Sequence, residues 1–144
     1  MTSKSLNLAS ALLFIVGILG LITALQEIFT ASFVDEGLLG VTASQIRVFS
    51  PNVMDKITLL HQFSGVYLLG MGLFFCVISL LPFRKGEKWA WYSMLAIGAL
   101  GLFGQLAIVY VGTAILGAFY LPASIVLIIL WAVGIVLPAK EILS

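Results

Sequence analysis

Residues 81–92 read LPFRKGEKWAWY, and the residues on either side of this stretch decide the fold. Before it, the run Val53 to Leu81 is apolar from Ile57 onward; after it, Trp89 to Val111 is apolar again. A span needs about 20 predominantly apolar residues. Arg84, Lys85, Glu87 and Lys88 therefore sit in a polar turn joining two membrane-crossing helices. Pro82 marks the end of the first of these, and Ser50-Pro51 gives it an N-cap and a first-turn proline.

Working outward, Leu6 to Ile28 forms another span and Leu121 to Leu137 a fourth, with Pro122 in its first turn and Pro138 near its end. Val111 to Tyr120 is a short uncharged turn. The expected fold is an all-α, single-domain, four-helix transmembrane bundle with spans 6–28, 53–81, 89–111 and 121–137. Between the first two spans, Thr30 to Lys56 is too charged to cross and forms a long exterior loop, a kind of connection that often binds or docks. Within it Val41, Ile46, Val48 and Phe49 alternate with Thr42, Ser44, Gln45 and Arg47. That weak amphipathic pattern either lies on the membrane surface or only tethers the spans. Asp35, Glu36 and Asp55 lack the spacing of a calcium loop.

Composition agrees with this reading. The 144 residues are 62% hydrophobic and 9% charged, against about 25–35% charge for a soluble surface, and the mean hydropathy is +1.20. A water-soluble enzyme is excluded. A net charge of +1 supplies no field for nucleic acid. Cys76 is the single cysteine and sits in an apolar run, so it reads as a small packing residue. The apolar stretch from Leu6 to Leu25 exceeds the 7–15 residues of a signal core, so it is expected to be a retained span.

Positive charge near span ends stays in the cytoplasm. An even number of spans places Lys4, Arg84, Lys85, Lys88 and Lys140 on one side, with only Arg47 and Lys56 opposite. Both termini are therefore expected in the cytoplasm. Trp89, Trp91 and Tyr92 on the basic side, with Tyr110 and Tyr120 opposite, read as interfacial anchors.

Helices in lipid associate through close packing and interhelical hydrogen bonds, which small residues permit. Gly17, Gly20 and Ala24 share a face of the first span, and Gly65 and Gly72 share one in the second, with Gly70 to one side. Gly98, Gly101, Gln105 and Gly112 recur along the third. These faces are expected to meet inside the bundle. The fourth span, mostly Ile, Leu and Val with Trp131, is expected to face lipid or a partner.

Ionisable residues within a membrane are functional candidates by default. Glu27 ends the first span, His61 and Gln62 lie about two turns into the second, and Gln105 lies in the outward half of the third; Tyr67 and Thr113 complete the exterior-side polarity. Glu27, His61 and Gln105 are the candidate ligand-binding residues. A carboxylate beside an imidazole fixes its tautomer, relays a proton or supports a ligand. Equally, His61 and Gln105 could bond across helices while Glu27 meets water, Arg47 or Lys56. One histidine and a distant cysteine fall short of the three or four ligands of a zinc site; neither a metal nor any other cofactor is expected.

Residues 81–92, together with Ser50-Pro51 and Leu60-His61-Gln62-Phe63-Ser64-Gly65, resemble small four-span bacterial and archaeal membrane proteins, broadly DoxX-like, over roughly residues 40–110. The resemblance implies a four-helix fold and carries no redox activity with it. Small multidrug transporters also have four spans, but their essential carboxylate lies within the first, whereas Glu27 lies at its end. The function expected is that of a non-catalytic accessory or structural subunit, partnered by the bilayer and by other membrane subunits or further copies of itself. The alternative is binding or transport of a quinone or lipid at Glu27, His61 and Gln105.

Overall fold

The computed structural model describes residues 3–29, 42–108, 110 and 120–144. The expected features at Thr30 to Val41, including Asp35 and Glu36, and at 111–119, including Gly112 and Thr113, lie outside the described residues, as does the side chain of Tyr120.

All described elements are helical. They are α1 (Lys4–Phe29), α2 (Ala43–Phe49), α3 (Pro51–Ile78, prolonged by a π-helical turn at Ser79–Phe83), α4 (Lys88–Gly98, prolonged by a π-helical turn at Ala99–Phe103), α5 (Tyr120–Val136) and α6 (Ala139–Leu143). Three helical stretches are long and apolar enough to cross a membrane: Lys4–Phe29 with 26 residues, Pro51–Phe83 with 33 and Lys88–Ile108 with 21. The apolar α5 is shorter, at 17 residues, a rise of about 25 Å.

Two helix starts differ from the expectation. Ser50 is the N-cap of α3 and Pro51 its first residue, but the Ser50 hydroxyl caps nothing. Thr42 does cap: its hydroxyl accepts from the Gln45 amide at 3.1 Å, and the Gln45 side chain accepts from the Thr42 amide at 2.7 Å. This reciprocal pair satisfies two orphan donors and makes the late part of the expected loop helical. The resulting α2 leaves Val48 and Phe49 88% and 89% exposed.

The basic turn is closed by hydrogen bonds from the Glu87 amide to Pro82 O (3.2 Å) and from the Gly86 amide to Phe83 O (2.9 Å). This Schellman arrangement needs a left-handed residue after the helix, and Gly86 supplies it at φ 76°. Asn7 accepts from Arg84 Nε at 2.9 Å, Leu143 O accepts from Lys88 Nζ at 3.3 Å, and Glu141 accepts from the Ser3 and Ser5 hydroxyls. The chain's first described residues, the basic turn and the C-terminal residues therefore gather at one end of the molecule.

α1 and α3 form the tightest pair, antiparallel and backbone to backbone. A Cβ placed on Gly17 would stand 2.9 Å from the Cys76 amide nitrogen and 3.0 Å from Gly72 O, and one on Gly65 would stand 3.0 Å from Ala24 O. Gly17 and Gly20 of α1 thus pack on Gly72 of α3, and Gly65 packs on Ala24. Ser10 extends the contact, its buried hydroxyl donating to Ser79 O at 2.6 Å.

The third and fourth spans depart from the expectation. Gly98 and Gly101 do not share one partner: Gly98 receives the Trp131 indole of α5, while Gly101 receives the Met71 side chain of α3. The π-helical turn Ala99–Phe103 takes up an extra residue and so rotates the face that plain helical spacing would keep in line. α5 is not merely lipid-facing. Trp131 is 5% exposed and donates its indole N–H to Met94 O at 3.0 Å, and Gly134 packs on Leu13. Trp91 is likewise no interfacial anchor: it is 8% exposed and donates to Ile135 O at 2.9 Å. Trp89 and Tyr92 remain exposed beside the turn. These tryptophans, with Leu13, Phe75, Phe83 and Met94, fill the core of the half of the bundle that carries the basic turn.

Candidate functional site

The α1/α3 seam sets the geometry of the candidate site. Its rungs pair Ser10 with Ser79, Gly17 with Cys76 and Gly72, and Ala24 with Gly65. The next rung, one turn farther from the basic end, pairs Glu27 with His61, whose Nδ1 lies 2.9 Å from Glu27 Oε2. A carboxylate can only accept, so Nδ1 carries a proton and donates it to Glu27, which leaves Nε2 free to meet a further group. The close backbone approach at Gly65, where a Cβ would meet Glu27 Cβ at 3.0 Å, brings the two side chains within reach. The side chains are 49% and 32% exposed for His61 and Glu27. The carboxylate's partner is therefore His61, in preference to Arg47 or Lys56.

Gln105 does not join them. Among the described residues no hydrogen bond links it to either member of the pair. Gln105 follows Gly101 by four residues on α4, and Gly101 meets Met71, ten residues along α3 from His61. His61 faces α1, whereas Gln105 lies on a helix that meets another face of α3. Gln62 and Ser64 are exposed beside the pair. Among the described residues no three of His, Cys, Asp and Glu converge on a point that could hold a metal ion.

A second feature lies on the far side of α3. Val66, Tyr67, Gly70, Met71 and Phe74, with Ile97 of α4, line an open apolar groove of about 370 Å³. None of Glu27, His61 and Gln105 lines it. Gly70 lies beside the glycine face, where a Cβ meets nothing within 4 Å. Ser10 and Ser79 extend the glycine faces by a signal that glycine spacing alone omits: Ser10, Gly17 and Ala24, and Gly65, Gly72 and Ser79, are two runs of seven-residue steps.

No protein-family model, curated protein or solved structure matches the chain. The fold and the pair define an all-helical protein with three membrane-length apolar helices, two of them clasped at one end by a carboxylate–imidazole hydrogen bond.

Proposed function

We propose that the protein is a four-span, non-catalytic integral membrane protein that serves as an accessory or structural subunit of a larger membrane assembly, with both ends in the cytoplasm. α5 is the fourth span, since its rise of about 25 Å lies at the lower limit for crossing. Five of the seven lysines and arginines, namely Lys4, Arg84, Lys85, Lys88 and Lys140, lie at the end that gathers the termini and the basic turn, which supports the cytoplasmic assignment.

One observation carries the subunit reading: the asymmetry of the bundle. At the basic end the core is closed by large buried side chains, while the other half of α3 leaves Leu59, Leu60, Phe63, Val66 and Tyr67 exposed on the side turned away from α1 and from the Glu27–His61 pair. An unpartnered apolar helix face suits a protein partner, which can bury its side chains by close packing. The pair lies outside the groove, which leaves the quinone-binding or lipid-binding reading at Glu27 and His61 without that cavity. DoxX-like kinship remains a resemblance.

The test is photo-crosslinking in native membranes from a benzophenone side chain placed at position 63. A discrete protein adduct is expected, and its identification by mass spectrometry names the partner; adducts to lipid alone would reject the subunit reading. Orientation is checked with Lys85→Cys and Ser44→Cys in a Cys76→Ser background. Labelling of the first by an impermeant reagent applied outside intact cells would reverse the assignment.

A further inference from the structure

The α3/α4 seam ends in the basic turn, and the charges there are left uncommitted. Among the described residues none of Lys4, Arg84, Lys85, Lys88 and Lys140 is ion-paired with a carboxylate. The carboxylates nearby are satisfied by neutral donors instead: Glu141 by the Ser3 and Ser5 hydroxyls and Glu87 by the Trp89 indole. Arg84 and Lys88 donate to neutral oxygens, Asn7 Oδ1 and Leu143 O. None of the five cations is held by a carboxylate, and five against Glu87 and Glu141 leave this end net positive toward an anion at the membrane surface. Trp89 and Tyr92 are exposed beside them at the depth where aromatic rings meet headgroups.

Farther along the same two helices lies the groove lined by Val66, Tyr67, Gly70, Met71, Phe74 and Ile97. Phe74 is ten residues from Arg84 along α3 and Gly70 fourteen, or about 15 and 21 Å of rise. Half of a bilayer of about 40–45 Å including its headgroups is about 20–22 Å, so a lipid whose phosphate lies at the turn reaches Gly70 with the end of its chain. The groove is open to the outside and its lining is almost wholly apolar, which suits a hydrocarbon chain.

We propose that this seam binds one anionic phospholipid of the leaflet at the basic end. Its phosphate lies against the turn of Arg84, Lys85 and Lys88, and one acyl chain runs along α3 and α4 to the opening that Gly70 leaves. The proposal rests on the membrane-spanning reading and not on the subunit reading.

The test is native mass spectrometry of the full chain in mild detergent, titrated with phosphatidylglycerol or phosphatidylcholine bearing identical chains. A one-to-one phosphatidylglycerol adduct is expected at lower lipid concentration than the phosphatidylcholine adduct. Near an anionic surface each lysine contributes about 1 kcal/mol, so Lys85→Gln/Lys88→Gln should weaken phosphatidylglycerol binding about 30-fold, the equivalent of about 2 kcal/mol, and leave phosphatidylcholine binding unchanged. Arg47→Gln/Lys56→Gln removes the same charge at the other end and should change neither. Gly70→Leu fills the groove where a Cβ has open space, so the fold persists and both lipids should bind more weakly. Glycerol phosphate, which lacks acyl chains, should not displace the bound lipid.

Equal affinity for the two lipids, or phosphatidylglycerol binding indifferent to the lysine pair, overturns the headgroup site. Indifference to Gly70→Leu overturns the chain site. Release of the protein from membranes by alkaline carbonate would instead defeat the spanning reading, whereas a carbonate-resistant protein without lipid preference defeats this proposal alone.

Discussion

Replacing Gly17 with alanine puts the central seam of the fold under test. The new Cβ would lie 2.9 Å from the Cys76 amide nitrogen and 3.0 Å from Gly72 O, whereas ordinary contact begins near 3.4 Å. Both neighbours are backbone atoms and cannot rotate away, so α1 and α3 must separate by about 0.5 Å, an overpacking that costs about 1–3 kcal/mol. Part of that cost falls on neighbouring rungs, because a gap of about 0.5–1 Å forfeits a quarter to a half of each van der Waals well. Gly70→Ala is the matched control. A Cβ there meets nothing within 4 Å, and alanine is favoured over glycine in a helix by about 1 kcal/mol. That gain applies at both positions and cancels, so the two single-methyl variants should differ by the overpacking cost alone, about 1–3 kcal/mol, with Gly17→Ala the less stable. Unfolding in mixed micelles of mild detergent and dodecyl sulfate, followed by far-UV circular dichroism, measures the difference. Equal midpoints, or a Gly70→Ala protein weaker than Gly17→Ala, would refute the backbone contact.

Gly98→Ala should push the Trp131 indole off its seat and break its bond to Met94 O, costing about 1–3 kcal/mol and shifting tryptophan emission to the red; unchanged emission would count against the seat. His61→Gln should retain a bond across to Glu27 and fold normally, while His61→Leu should lose about 0.6–1.7 kcal/mol, read by the same micelle titration. The Ser3 and then the Ser5 hydroxyls hold the Glu141 carboxyl below its ordinary value. This contribution is present above the unfolded glutamate's pKa and is lost as pH falls through the lowered one. Ser3→Ala/Ser5→Ala should therefore flatten the acid side of the stability profile, and carboxyl NMR of Glu141 should show its midpoint rise.

Sequence by itself determined the helical elements and their apolar character. An 18-residue apolar run has one stable form in lipid, a helix with its backbone bonds made internally, so the helices at Lys4–Phe29, Pro51–Phe83 and Lys88–Ile108 follow from composition and length. The α1/α3 seam was legible as well, because glycine spacing reports directly where backbones can approach. Only the tertiary structure decided which helix each face meets. Leucine and tryptophan are equally at home in lipid and in a core, so nothing in the residues around Trp91 and Trp131 separates an interfacial ring from a buried one until Ile135 O and Met94 O are found opposite their indole nitrogens. The π-helical turn at Ala99–Phe103 turns Gly98 toward Trp131 and Gly101 toward Met71. The pairing of Glu27 with His61 likewise depends on a register between two helices, which a chain settles only when its side chains meet.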